Sequence, residues 1–292
     1  MRLATIRLHE REMAAIVTEK GLLPLDKVND QFNQNWPTHL FALLQTGQLE
    51  DLKAWLAAID HEELLSAAGM VDHAQVQYAP LYRHPRKIWG IGLNYVEHAS
   101  DLSEKAPSTE PASFMKPDTT IIGPGDTILV PHQSERTTAE AELGIIIGQT
   151  CKDVSEREAP DVIAGFTTIL DMTAEDILQQ NPRYLTRSKS FDTFLSVGPH
   201  LVTADEVPEV NDLHVATVIN GKTHRRNVVA NMTFDPWYLV SFHSHVMTLL
   251  PGDIICTGTP GAVPISEGDV VECHIDGFEI LINPVKDLKA GE

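Results

Sequence analysis

The sequence predicts an α+β protein that is mostly β, with a small α/β unit at its N-terminus. Beyond about residue 80, short apolar runs alternate with Gly, Pro, Asn and Asp, which is typical of strands and turns. Before that point, apolar residues recur at helical spacing. The stretch YAPLYRHPRK, rich in Pro and basic residues, lies between the two patterns and is interpreted as a linker. We therefore expect a small domain at residues 1–78 and a larger one at 79–292.

The N-terminal unit is expected to begin with short strands in MRLATIRL and EMAAIVTEKGLL. A helix should follow from Thr38 to Ile59, with Thr38 as its N-cap. Nothing here indicates chemistry, so packing or dimerisation is the expected role.

The larger domain contains two hairpin signals and one helix signal. Asn220-Gly221 and Asp276-Gly277 supply residues that tolerate the positive φ angles of two-residue turns. Asp235 followed by Pro236 predicts a helix start before WYLVSFHSHVMTLL.

Charge and composition argue against several classes of partner and of site. The formal net charge of −19 argues against nucleic acid and anionic membranes as partners, although a metal ion can invert the local field for a small anionic substrate. The three cysteines are far apart, so neither a zinc site nor a disulfide framework is indicated. No signal peptide or apolar run of ~18 residues is visible. We expect a cytoplasmic protein.

The strongest chemical feature is a set of three acids. In TAEAELGIIIG, strand alternation places Glu140 and Glu142 on one face. In AGFTTILDMTAEDIL, a strand is expected to end at Asp171, and Thr173 with Asp176 forms a capping-box pattern. Three oxygen ligands suit Mg²⁺, with Mn²⁺ or Ca²⁺ as alternatives. A solvated strand face and a turn aspartate remain the alternative interpretations.

Other candidates are less specific. His98 and Asp101 are three residues apart on a helical pattern, which suits a general base and its orienting acid but also a surface contact. Lys189 in SKSFDTF could stabilise a bound anion. The loop CTGTPGAV brings backbone amides and the Thr259 hydroxyl close to a ligand, or is only a tight turn. His132 is an outside candidate for a further ligand.

These segments resemble the fumarylacetoacetate hydrolase family, from roughly Pro80 to Asp287. The matching pieces are KIWGIGLNYVEH, FMKP, the ExEL strand, GFTTILDMTAED, KSFDTF, PGDIICTGTPGAV and EGDVVECHIDGFEILIN. Seven motifs in this order are a specific signal. The resemblance implies a mixed β-roll core, a homodimer, and a metal at the mouth of the roll.

The resemblance also implies roles for individual residues. It places Glu140, Glu142 and Asp171 on the metal and His98, with Asp101 as its acid partner and Glu104 as a rival, in a lid over the substrate. Residues implied to contact substrate or a developing enolate are Lys116, Lys189, Gly258 and Thr259.

One departure affects the substrate. The family often has Arg and Gln, both contacting substrate, at the positions that are Glu175 and Leu178 here. We do not carry substrate binding onto these two residues. Arg187, or Arg183 beside it, is the expected replacement for the positive charge.

The resemblance implies hydrolysis of a carbon–carbon bond in an acylpyruvate-type 2-oxo acid. Decarboxylation of oxaloacetate and isomerisation or decarboxylation of a 2-hydroxydienoate in aromatic catabolism use the same metal-enolate chemistry and remain alternatives. A binding protein that has lost turnover is a third, non-enzymatic possibility.

Overall fold

The computed structural model describes residues 1–96 and 109–290. The strands are β1 Arg2–Leu8, β2 Arg11–Val17, β3 Leu22–Pro24, β4 Ile88–Gly92, β5 Ala112–Met115, β6 Ile121–Ile122, β7 Ile128–Val130, β8 Thr137–Ile147, β9 Ile163–Ala174, β10 Leu195–Val197, β11 His200–Thr203, β12 His214–Ile219, β13 Lys222–Val228, β14 Ile254–Cys256, β15 Val263–Pro264, β16 Val270–Ile275 and β17 Leu281–Asp287. The α-helices are α1 Leu25–Phe32, α2 Leu40–Gln45, α3 Leu49–Ala58, α4 His61–Leu65, α5 Glu175–Gln180, α6 Leu185–Lys189 and α7 Pro236–Val246. Within these residues, no helix is both long and apolar enough to cross a membrane.

The strands form mixed sheets, which confirms the predicted α+β class. The main path of the larger sheet runs β3-β2-β1-β11-β9-β8-β14-β4-β5, and the smaller sheet runs β13-β12-β16-β17-β7. The two sheets meet across β8, where the amide of Ala141 donates to the Thr217 hydroxyl at 3.0 Å. A shared apolar core fills the space between them, as expected for packed layers.

Strands β8 and β9 form the centre of the larger sheet. They pair antiparallel over nearly their whole length, and every residue of both strands is buried. Their register places Glu140 directly opposite Asp171. Because directly opposed residues project on the same face, this pair of strands brings carboxylates from two chain segments together.

The N-terminal unit shares the larger sheet with the rest of the chain. Strand β1 pairs antiparallel with β11, with Ala4 opposite His200. The segment interpreted as a linker packs against β1, and the Thr5 hydroxyl donates to the Leu81 carbonyl at 2.7 Å. The domain boundary between residues 78 and 79 stays a prediction. Strand pairing joins the residues before it to the residues after it.

The long N-terminal helix was predicted wrongly. The chain forms α2 and α3 instead, separated by Gly47 at a φ of +72°. This left-handed conformation, which favours glycine, ends the first helix. Thr38 is not the N-cap either, because α2 begins after His39.

The structure confirms one of the two predicted hairpin turns and the predicted helix start. Asn220-Gly221 forms the predicted turn, with φ angles of 52° and 73°. The second turn is longer than predicted, because β17 begins only at Leu281, and only Gly277 of its pair has a positive φ. Asp235 caps α7 as predicted, accepting from the amide of Tyr238 at 2.8 Å.

We expect His200 to make folding stability depend on pH. Burial, with a smaller effect of Arg2, lowers the pKa of His200 to about 4. An unfolded histidine has a pKa near ~6.5. As the pH falls from ~6.5 to ~4, the unfolded chain therefore gains a proton that the native chain does not, and about 3 kcal/mol of unfolding free energy is lost. Urea unfolding of wild type and His200→Gln across this range measures the difference, because glutamine does not titrate.

His61→Gln is the control, since that side chain is 68% exposed. Its pH dependence should follow the wild type. Parallel curves for wild type and His200→Gln would contradict the prediction.

Candidate metal centre

Glu140, Glu142 and Asp171 form one compact cluster. Each offers a carboxylate oxygen within 4.8 Å of the others, and all three side chains belong to buried residues. Strand alternation and the β8–β9 register account for the arrangement: Glu140 and Glu142 project from the same face of β8, and Asp171 lies opposite Glu140. The predicted convergence of the three acids is confirmed as geometry.

Two buried lysines lie against the cluster. The Lys116 ammonium donates to Asp171 Oδ1 at 2.5 Å, and the Lys189 ammonium donates to Asp171 Oδ2 at 2.8 Å. Lys189 also reaches Glu140 Oε2 at 3.0 Å. Lys116 directly follows β5 and Lys189 ends α6, so separate elements deliver the two charges to one carboxylate.

Burial and the neighbouring charges shift the pKa values of these groups, in opposite directions at Asp171 and Lys189. Burial raises the pKa of Asp171, but Lys116 and Lys189 outweigh it and the net shift is downward. Burial lowers the pKa of Lys189, yet the surrounding carboxylates raise it overall. For Glu142, burial and the charges of Asp171 and Glu140 all raise the pKa. An additional cation beside Glu142 would therefore favour its ionised form.

A glycine loop holds Glu142. The amide of Gly258 donates to Glu142 Oε2 at 2.8 Å, and Gly258 has a φ of +95°. A Cβ at this position would lie 2.9 Å from both the Asn94 Cβ and the Ile91 carbonyl oxygen. Asn94 fixes the same loop by donating to the Thr257 carbonyl at 2.8 Å. The substrate contact predicted for Gly258 stays a prediction, and its contact to Glu142 was not predicted.

The end of β9 differs from the prediction and adds a residue to the centre. The strand continues past Asp171 to Ala174, so Asp171 lies within the strand. Thr173 does not cap a helix; its hydroxyl donates to Glu140 Oε1 at 2.7 Å. The capping-box interpretation failed because strand pairing with Thr138 fixes Thr173 in extended backbone.

The remaining predicted residues fall into three groups. Thr259 is buried beside Gly258, where its hydroxyl donates to the Gly261 carbonyl at 3.3 Å. Arg187 is exposed on α6, and its separation of two residues from Lys189 corresponds to about 200° around a helix. His132 is exposed and outside the acidic cluster. The residues that lie outside the described part of the chain are His98, Asp101 and Glu104.

The donor set fits a hard divalent cation. Three carboxylates face two ammonium groups, so the site carries net negative charge only when all three acids are ionised. Each carboxylate has about four lone-pair positions, so an oxygen that accepts from a lysine can still bind a metal. Oxygen ligands alone favour Mg²⁺, Mn²⁺ or Ca²⁺ over zinc.

Residues 87–286 match the family model for the C-terminal part of fumarylacetoacetate (FAA) hydrolase. A relative from Sphingomonas sp. (strain SKA58), 2,4-didehydro-3-deoxy-L-rhamnonate hydrolase, is 35% identical over 245 residues, covering 79% of this chain and 86% of its own.

Two solved structures are similar over nearly the whole chain. Maleylpyruvate hydrolase from Sphingobium sp. SYK-6, in complex with manganese (II) ion and pyruvate, is 28% identical with a TM-score of 0.80, covering 98% of this chain and 99% of its own. The 2-hydroxyhepta-2,4-diene-1,7-dioate isomerase from Mycobacterium marinum is 30% identical with a TM-score of 0.75, covering 99% of both. The chain belongs to the fumarylacetoacetate hydrolase family, and it is an enzyme of the hydrolase or isomerase type found among these relatives.

Proposed function

We propose that the chain is a divalent-metal-dependent hydrolase that cleaves a carbon–carbon bond in an acylpyruvate-type 2-oxo acid. The observation that carries the proposal is the buried cluster of Glu140, Glu142 and Asp171 with two lysines against it. Buried, strongly interacting ionisable groups of this kind are typical of catalytic sites.

The relatives support both the metal and the substrate class. A maleylpyruvate hydrolase of the same fold binds manganese and pyruvate. Its substrate and that of the rhamnonate-type hydrolase are small acids by name. Mg²⁺ is our first choice of metal, with Mn²⁺ or Ca²⁺ as alternatives. A homodimer and a cytoplasmic location also remain predictions.

The metal and the protein have separate roles in the proposed reaction. A divalent cation, when bound, would act as a Lewis acid and polarise an oxygen of the substrate. Glu140, Glu142 and Asp171 would hold it. Lys116 and Lys189 both donate to Asp171, so they would lie close enough to offset negative charge that develops on the substrate. Burial strengthens this effect, because no bulk water screens the ammonium groups.

Proton transfer is assigned to His98. We propose that His98, oriented by Asp101 or Glu104, deprotonates the water that attacks the distal carbonyl of the substrate. The bond between that carbonyl carbon and C3 then breaks, and the leaving pyruvate enolate takes up the proton at C3. Thr259 would contact the substrate through its hydroxyl, beside the Gly258 amide. Arg187 is proposed as a substrate contact only if the substrate reaches the exposed face of α6.

Isomerisation of a 2-hydroxydienoate is the second candidate. The observation that favours it is the similarity to the Mycobacterium marinum isomerase over nearly all of both chains. Product analysis separates the reactions. Hydrolysis of acetylpyruvate or fumarylpyruvate yields two acids, whereas isomerisation conserves the carbon skeleton and decarboxylation releases CO₂.

We expect Thr173→Val to weaken metal binding. The variant keeps the side-chain shape but loses the hydroxyl that orients Glu140. Loss of such an orienting hydrogen bond typically costs about 10- to 100-fold in metal affinity. Calorimetric titration with Mn²⁺ measures the change. Thr173→Ser keeps a hydroxyl and should bind nearly as the wild type does; equal affinity for the valine variant would refute the role.

We expect Lys189→Met to lower kcat by on the order of 100-fold on a substrate that the wild type converts. The same change should leave Mn²⁺ affinity unchanged or higher, because it removes a positive charge beside the carboxylates. If Lys189 had only a structural role, the substitution would lower both kcat and Mn²⁺ affinity. Steady-state kinetics and calorimetry on the same preparation separate the two cases.

Lys87→Met is the matched control, since Lys87 pairs with the buried Asp253 away from the cluster. It should change stability without a comparable loss of kcat. Full activity in Lys189→Met would contradict the proposed role.

A further inference from the structure

A serine and a histidine outside the acidic cluster form a hydrogen-bonded pair. The Ser113 hydroxyl lies 2.8 Å from Nε2 of His243. Ser113 belongs to β5, whereas His243 lies on α7 and is fully buried. The other acceptor near the hydroxyl, the Pro111 carbonyl, is farther away at 3.4 Å. The two side chains therefore have the spacing of a nucleophile and its general base.

The second contact of His243 fixes the position of its proton. Nδ1 lies 2.7 Å from the Leu239 carbonyl oxygen, which can only accept, so Nδ1 carries the proton. Burial lowers the pKa of His243, so the ring is neutral near neutral pH. Nε2 is then an acceptor, and the Ser113 hydroxyl donates to it. This tautomer is the one that can take up a proton from the serine.

The pair lies on the face of β5 opposite the metal centre. The Phe114 ring is 4.9 Å from the Lys189 ammonium, and strand alternation places Ser113 on the other face. Trp89 of β4 shares the face of Ser113, and its ring centroid is 4.6 Å from that of His243. The Trp89 Nε1–H is buried and has no hydrogen-bond partner among the described residues. Unsatisfied buried donors are rare, and an acceptor on a ligand would satisfy this one.

Ser113 is only partly buried, so its hydroxyl is more accessible than the histidine beneath it. Strand β5 is the last strand on the main path of the larger sheet, and within residues 1–96 and 109–290 it pairs with β4 alone. A partly exposed hydroxyl that donates to a buried base is the arrangement that a nucleophilic serine requires.

We propose that Ser113 is an activated nucleophile, with His243 as its base, and that it accepts an acyl group from an activated carboxylic ester. The serine oxygen forms a bond to the ester carbonyl carbon while its proton passes to Nε2 of His243. The bond to the alcohol oxygen then breaks, and that oxygen takes the proton from Nε2. The products are an acyl-serine and a free alcohol, so the step needs no metal, oxidant or reductant.

Acetylation by 4-nitrophenyl acetate tests the proposal on the wild type. The full chain is incubated with the ester without added metal, and peptide mass mapping locates and quantifies the acetyl groups. Ser66 is the internal reference, because its hydroxyl is exposed and donates to the Glu63 carbonyl. Ser113 should react on the order of 100-fold faster than Ser66. A hydrogen bond that only holds α7 against β5 predicts no such preference, and equal rates or an unreacted Ser113 overturn the inference.

Two variants separate the base from the metal centre. His243→Gln removes the base and should slow acetylation of Ser113 by on the order of 100-fold. An unchanged rate in the folded variant overturns the inference, and if the variant does not fold, the ratio of Ser113 to Ser66 in the wild type decides. Ser113→Ala should bind Mn²⁺ as the wild type does, because Ser113 faces away from the acidic cluster. Loss of Mn²⁺ affinity in Ser113→Ala would contradict a separate site.

Discussion

The close approach of three carboxylates in a buried site is the interaction that the surrounding elements have to compensate. When all three are ionised, Glu140, Glu142 and Asp171 repel one another, and burial removes the water that would screen them. Lys116 and Lys189 compensate only part of this charge. Without a cation, this arrangement lowers the stability of the fold. A bound cation would supply the missing positive charge and offset that loss.

The fold places each compensating group from a different part of the chain. The long antiparallel pairing of β8 and β9 sets the spacing of the acids. The end of β5 provides Lys116, helix α6 provides Lys189, and the loop after β14 provides the Gly258 amide. Because these elements are joined by strand pairing and a common core, the cluster is held by the scaffold and not by one flexible loop.

Alternation and turn chemistry are local signals, and they predicted the fold class and the strand nature of the acidic segments. They left the convergence of the three acids as one of several interpretations, and the family resemblance implied it. Sequence reasoning missed features that depend on pairing between distant segments. Thr173 matched a capping pattern but donates to Glu140, since β9 pairs with β8 beyond Asp171. The break at Gly47 and the contact of Gly258 with Glu142 have no periodic signature. No local pattern predicts the pairing of Glu175 with Arg136, because the two residues are 39 positions apart.

Anomalous diffraction from crystals grown with Mn²⁺ is the most direct test of a metal at these three carboxylates. We expect one strong manganese peak per chain, bounded by carboxylate oxygens of Glu140, Glu142 and Asp171 at oxygen-ligand distances. We also expect Lys116 and Lys189 to stay close enough to face a ligand on the metal. A manganese peak elsewhere, with the three carboxylates still paired only to the lysines at saturating metal, would contradict it.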